Sequence, residues 1–62
     1  MKPGDIVITL VDLNWINDHC RKGTRLKLIR VRPTSAGPRW TARTKDGIEH
    51  HNIPEDAIEV IA

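Results

Sequence analysis

The stretch Thr24-Arg25-Leu26-Lys27-Leu28-Ile29-Arg30-Val31-Arg32 decides the fold. Leu26 and Leu28 alternate with Arg25 and Lys27, the period-two pattern of a strand covered on one face. At Leu28-Ile29 the phase slips. Ile29 and Val31 now hold the apolar positions, and Arg30 and Arg32 the polar ones. A one-residue slip sends side chains to the opposite face. A strand that bends or bulges near Leu28-Ile29 and serves two sheets accounts for the change. Such strands turn the corners of small barrels.

Upstream, Lys2-Pro3-Gly4-Asp5 is turn chemistry and opens the β-branched run 6–11, a first strand. From Asp12 to Gly23 the Asx residues Asp12, Asn14, Asn17 and Asp18 favour turns over ladders. That loop of about a dozen residues is long for a small domain. Leu13, Trp15 and Ile16 are expected to tuck under it as a lid. Downstream, 33–38 (Pro-Thr-Ser-Ala-Gly-Pro) reads as a loop. Trp40, Ala42 and Thr44 then alternate with Arg39, Thr41 and Arg43 as a third strand. Asp46-Gly47 is a hairpin signal. Residues 48–53 form a fourth strand, Pro54-Glu55-Asp56-Ala57 suits one 3₁₀ turn, and 58–61 close the chain as a fifth.

The expected product is one all-β domain spanning residues 1–62. With no Tyr or Phe and two Trp, its core must be aliphatic. A chain of this length buries only about 60 % of its unfolded surface, and stability of roughly 3–5 kcal/mol is expected. The single Cys20 closes no intramolecular disulfide. Its place beside Arg21 and Lys22 favours a thiolate, but no substrate-binding motif accompanies it. No apolar run is long enough for a membrane span. The opening Met1-Lys2-Pro3-Gly4-Asp5 lacks a signal-peptide layout, so a cytoplasmic protein is expected. A cofactor pocket is hard to wall with so few residues, so neither a cofactor nor an enzyme is expected.

The resulting order is strand, long loop, bent strand, two hairpins, 3₁₀ turn and short strand. Together with Pro3-Gly4-Asp5, Arg21-Lys22-Gly23-Thr24 and Pro54-Glu55-Asp56-Ala57, it resembles the SH3-like small β-barrels, in particular KOW-type and related bacterial barrels. The resemblance covers nearly the whole chain and implies a five-stranded SH3-like barrel. It says little about task. The chain departs from the KOW pattern by the dozen or so residues between strands one and two. Gly4-Asp5-Ile6-Val7 with Asp12-Leu13 also resembles the opening of toxin-type ribonucleases. The arginine–proline pair that feeds their active site falls here at Arg32-Pro33, the end of strand two, and the match stops there.

Net charge is only +2, yet Arg21 to Lys45 holds nine basic residues and no acid. All eight acids lie outside that block. Arg30 and Arg32 leave strand two on one face. Arg39 and Arg43 leave strand three opposite Trp40 and Ala42, which should face the core with Val31. Four arginines then share one outer face, flanked by Lys27 and Lys45. Like charges set opposite each other cost a few tenths of a kcal/mol per pair. Arginine's planar fork suits phosphate or carboxylate better than a point charge. Arg30, Arg32, Arg39, Arg43, Lys27 and Lys45 are therefore candidate contacts to nucleic acid, DNA or RNA. The alternative is an accessory subunit or inhibitor that docks on an acidic protein surface through the same arginines, with the Asp12–Gly23 loop and Trp15 as further contacts. A solvated face paired with Asp46, Glu49 or Glu59 is the blander possibility.

With Trp40 assigned to the core, base-stacking platforms and proline-peptide grooves lack aromatics. His19-Cys20 and His50-His51 have the wrong spacing for structural zinc. His50 is expected to be half-buried on the Ile48 face and His51 to lie at the surface.

Overall fold

The computed structural model describes residues 1–13 and 21–62. Its strands are β1 (Ile6–Thr9), β2 (Arg25–Thr34), β3 (Gly37–Arg43), β4 (Glu49–Pro54) and β5 (Ile58–Val60), with a 3₁₀ helix (Glu55–Ala57) before β5. They form one antiparallel sheet in the order β4-β3-β2-β1-β5. Sequence neighbours pair throughout, except that β5 returns to lie beside β1. The sheet has two edges, β4 and β5, and no ladder joins them among the described residues. The all-β, five-stranded part of the expectation is met, whereas the ladders among the described residues form an open sheet rather than a closed barrel.

The expected slip in β2 is present. Leu28 faces Ala42 and Arg30 faces Thr41, so Ile29 is the extra residue. The bulge keeps Leu26 and Leu28 in the core while Arg30 and Arg32 turn outward. A second bulge lies on β4. Trp40 faces Ile53 and Ala42 faces His50, leaving His51 and Asn52 opposite Thr41. Asn52 takes φ +61°, the left-handed region that asparagine enters more readily than most residues. This bulge brings both His50 and Ile53 inward. His50 is consequently 1 % exposed, rather than half-buried as simple alternation suggests.

The core is Val7, Leu13, Leu26, Leu28, Trp40, Ala42, Ile53, Ala57 and Ile58. Full burial of each larger aliphatic side chain contributes about 1.5–3 kcal/mol. Val31 stays 42 % exposed. It shares the face of its partner Trp40, but it lies toward the hairpin tip, where that face is uncovered.

Residues 33–38 are not a loop. The ladder runs through Pro33↔Pro38 to Thr34↔Gly37, and only Ser35 and Ala36 make the turn. Two prolines can oppose each other here because the tip has no further strand to receive an N–H. The Thr34 hydroxyl ties the turn, donating to the Gly37 carbonyl at 2.6 Å and accepting from Ala36 N–H at 3.2 Å. Gly37 sits at φ +106°, a conformation glycine adopts without a Cβ penalty. The Asp46-Gly47 turn forms as expected, with Gly47 N–H donating to the Thr44 carbonyl at 3.0 Å.

Strand β1 ends at Thr9 rather than residue 11, because Leu10 N–H donates to Ala57 of the 3₁₀ helix at 2.8 Å. Thr9 is buried and fully used. Its hydroxyl donates to the Arg21 carbonyl at 2.7 Å and accepts from Thr24 N–H at 3.0 Å. The Asp12 carboxylate accepts from Lys22 N–H at 2.7 Å. These bonds tie Thr9 and Asp12 to residues 21–24, and Leu13 is buried. Trp15, Ile16 and Cys20 lie outside the described residues. No helix among the described residues is long and apolar enough to cross a membrane.

Candidate functional site

The cations of the β2–β3 hairpin fall into two groups, divided by the bulges. Toward the tip, Arg32 lies directly opposite Arg39, and Arg30 opposite Thr41. Residues directly opposite in an antiparallel pair project from the same face with Cβ atoms about 4.5–5.5 Å apart. The intervening Val31↔Trp40 pair projects from the other face. Arg30, Arg32, Arg39, Thr41, His51 and Asn52 together line a cleft of about 160 Å³.

Each wall of this cleft has a local cause. The Ile29 bulge sets the phase that turns Arg30 and Arg32 outward, and strict alternation from Trp40 places Arg39 and Thr41 beside them. The Asn52 bulge lifts His51 and Asn52 over Thr41 from the edge strand. Bulges re-aim side chains in this way and are frequent beside binding sites. Thr41, only 8 % exposed, forms the floor. Its hydroxyl lies 3.2 Å from His51 Nδ1.

Toward the root of the hairpin, Lys27 lies opposite Arg43. With Arg25 and Lys45 they surround a groove of about 330 Å³ lined also by Ile6, Leu26, Ile29 and Thr44. The Arg43 guanidinium donates to Glu49 at 2.5 Å. That hydrogen bond holds the Glu49 carboxyl below its ordinary value. Partial dehydration works against it, and the charges of Arg43, Arg30 and His51 add to it. His51 Nε2 is 3.8 Å from the same carboxylate.

The structure therefore brings together three of the four expected arginines, Arg30, Arg32 and Arg39. It sets Arg43 apart, paired with Glu49 and grouped with Lys27 and Lys45. Among the described residues, ion pairs within 4 Å involve only Arg43 and His51, both with Glu49. Asp46 and Glu59 make none with the hairpin arginines. The cleft also recruits Thr41, His51 and Asn52, which sequence reasoning did not assign to a site. The available signal was the spacing of Ile48, His50 and Ile53, which fits no single strand phase and has an asparagine at the slip. Trp15, the other candidate contact, lies outside the described residues. No group of three or more His, Cys, Asp or Glu side chains among the described residues is placed to hold a metal ion. The chain matches no protein-family model, no curated protein and no solved structure.

Proposed function

We propose that this chain is a non-enzymatic, SH3-like binding module that holds nucleic acid by its phosphates through the outer face of the β2–β3 hairpin. The SH3-like reading is supported by the strand order, the bulged β2 shared between the two halves of the sheet, and the 3₁₀ helix before β5. One observation carries the binding reading: Arg32 and Arg39 are set opposite each other beside Arg30, with no carboxylate within 4 Å among the described residues. An opposed like-charge pair works against the sheet, and an anion bound between the forks offsets that cost. Guanidinium forks present paired donors to phosphate oxygens, and the Thr41 hydroxyl and Asn52 amide add polar groups of the kind that contact phosphate and sugar. Lys27, Arg43, Arg25 and Lys45 extend the cationic surface along the same hairpin. The arginine forks favour contacts to the phosphate backbone, with little base reading.

Titration of labelled duplex DNA and duplex RNA at two salt concentrations tests this. Binding tighter than millimolar at about 50 mM salt, weakening steeply with added salt, is expected from phosphate contacts. Weaker binding to both would overturn the proposal. The root groove favours a second reading, because Ile6, Leu26 and Ile29 give it an apolar lining beneath four cations. An acidic protein segment with an aliphatic anchor fits that chemistry. Binding of an acidic peptide that Lys27→Gln abolishes, with no nucleic-acid binding at low salt, would favour it.

A further inference from the structure

The tip cleft differs from a groove that tracks a polynucleotide backbone. It is small, about 160 Å³, and three arginines with one histidine line it. An internal phosphodiester offers two non-bridging oxygens and one negative charge. A phosphate monoester offers three acceptor oxygens and about −1.5 to −2 charge near neutral pH. Three forks around one small space match the second better than the first. Glu49, the one carboxylate on β4, is paired with Arg43, and neither it nor Glu55 and Asp56, which share a neighbouring cleft with Arg39, lies within 4 Å of the Arg30, Arg32 or Arg39 guanidinium.

We infer that the cleft formed by Arg30, Arg32, Arg39, Thr41, His51 and Asn52 selects a phosphate monoester, the terminal phosphate of a nucleic-acid strand, over internal phosphodiesters. The inference rests on the nucleic-acid reading and gives this one site a ligand class within it. Arg32 and Arg39 grip the phosphate from facing strands, and Arg30 closes the third side. Thr41 and Asn52 supply the neutral polar floor and wall. The root cations Arg25 and Lys27 hold the following phosphates without distinguishing the end.

The test compares two short labelled duplexes of identical sequence, one with 5′-phosphates and one with 5′-hydroxyls, by fluorescence anisotropy at low salt and neutral pH. The phosphorylated duplex is expected to bind at least about fivefold more tightly, the size of effect charge-assisted bidentate contacts allow. Arg32→Gln and Arg39→Gln should each abolish that preference, with thermal melts confirming that both variants fold. The double variant Arg25→Gln/Lys27→Gln should weaken both duplexes while keeping the preference. Equal binding of the two duplexes overturns the inference and leaves the proposed function standing, whereas no binding of either overturns both. A preference that survives loss of Arg32 and Arg39 overturns the assignment to this cleft. Competition with a 5′-mononucleotide separates the sources of monoester. If the mononucleotide competes as well as the phosphorylated duplex, the cleft does not recognise strand ends.

Discussion

The tip and the root of the β2–β3 hairpin are both rich in cations, yet they solve the electrostatic problem differently. At the root, Arg43 has a carboxylate partner in Glu49, and the neighbouring groove is lined by Ile6, Leu26 and Ile29. At the tip, Arg32 faces Arg39 across the ladder, and among the described residues no carboxylate lies within 4 Å of either arginine. Cation count alone therefore does not mark a site. Glu49 follows the Asp46-Gly47 turn and faces Arg43 in the β3–β4 register. That position neutralises one expected arginine and leaves the other three together. The two bulges draw the boundary: Ile29 separates Leu28 from Arg30 on β2, and the shift on β4 puts His51 and Asn52 opposite Thr41 on the tip side.

Tip and root share one core, and removing part of it has the largest expected effect. Leu28 is 1 % exposed, lies opposite Ala42 just before the bulge, and ties the first turn by accepting from Gly4 N–H at 2.8 Å. Leu28→Ala should cost about 2–5 kcal/mol, comparable with the roughly 3–5 kcal/mol expected for a core of this size. Denaturant unfolding should show tip and root lost together in one transition. Two separated transitions would mean that the halves do not share a core.

A smaller perturbation acts on the tip alone. Asn52→Ala places a Cβ residue with no compensating amide at φ +61° and should cost about 1–2 kcal/mol. Asn52→Gly should retain or raise stability, since glycine populates that region freely. Both are read by thermal melts, and an alanine variant as stable as the glycine variant would mean that the bulge does not need the left-handed residue.

The gentlest change acts on the root. Because the folded Glu49 carboxyl is held below its ordinary value of 4.5, its stabilising contribution is present above that value. It is lost as pH falls through the lower folded value. Glu49→Gln should therefore lower the melting temperature slightly at neutral pH and flatten the acid limb below about pH 4.5 by the same small amount, small because the pair is solvent-exposed. The same substitution frees Arg43 and should raise nucleic-acid affinity slightly. An unchanged acid limb would show that the ion pair is not made in solution.

The fold was largely legible from local patterns, and the site only in part. The phase slip at Leu28-Ile29 declares a bulge because apolar residues on both sides commit to opposite phases. Asp46-Gly47 and Pro54-Glu55-Asp56 carry turn chemistry that few alternatives share. Pro33 and Pro38 misled because proline usually ends a strand, whereas paired prolines at an unflanked hairpin tip lose no hydrogen bond. His50 and His51 misled for a related reason. Alternation counts from one end of β4, and the Asn52 bulge resets the count from the other. Sequence reasoning placed Arg30, Arg32 and Arg39 on a common face because β2 and β3 alternate cleanly there. It kept Arg43 with them because the Glu49 pairing depends on the β3–β4 register.

The most direct measurement of the tip as the phosphate-contacting half is the salt dependence of duplex DNA binding in paired variants. Each phosphate contact contributes about 0.9 to the slope of log affinity against log salt. Arg32→Gln/Arg39→Gln should reduce the slope by about 1–2 relative to the unaltered protein, whereas Arg43→Gln, which removes a cation already paired with Glu49, should change it much less. A slope unchanged by the tip substitutions but reduced by Arg43→Gln would contradict the account.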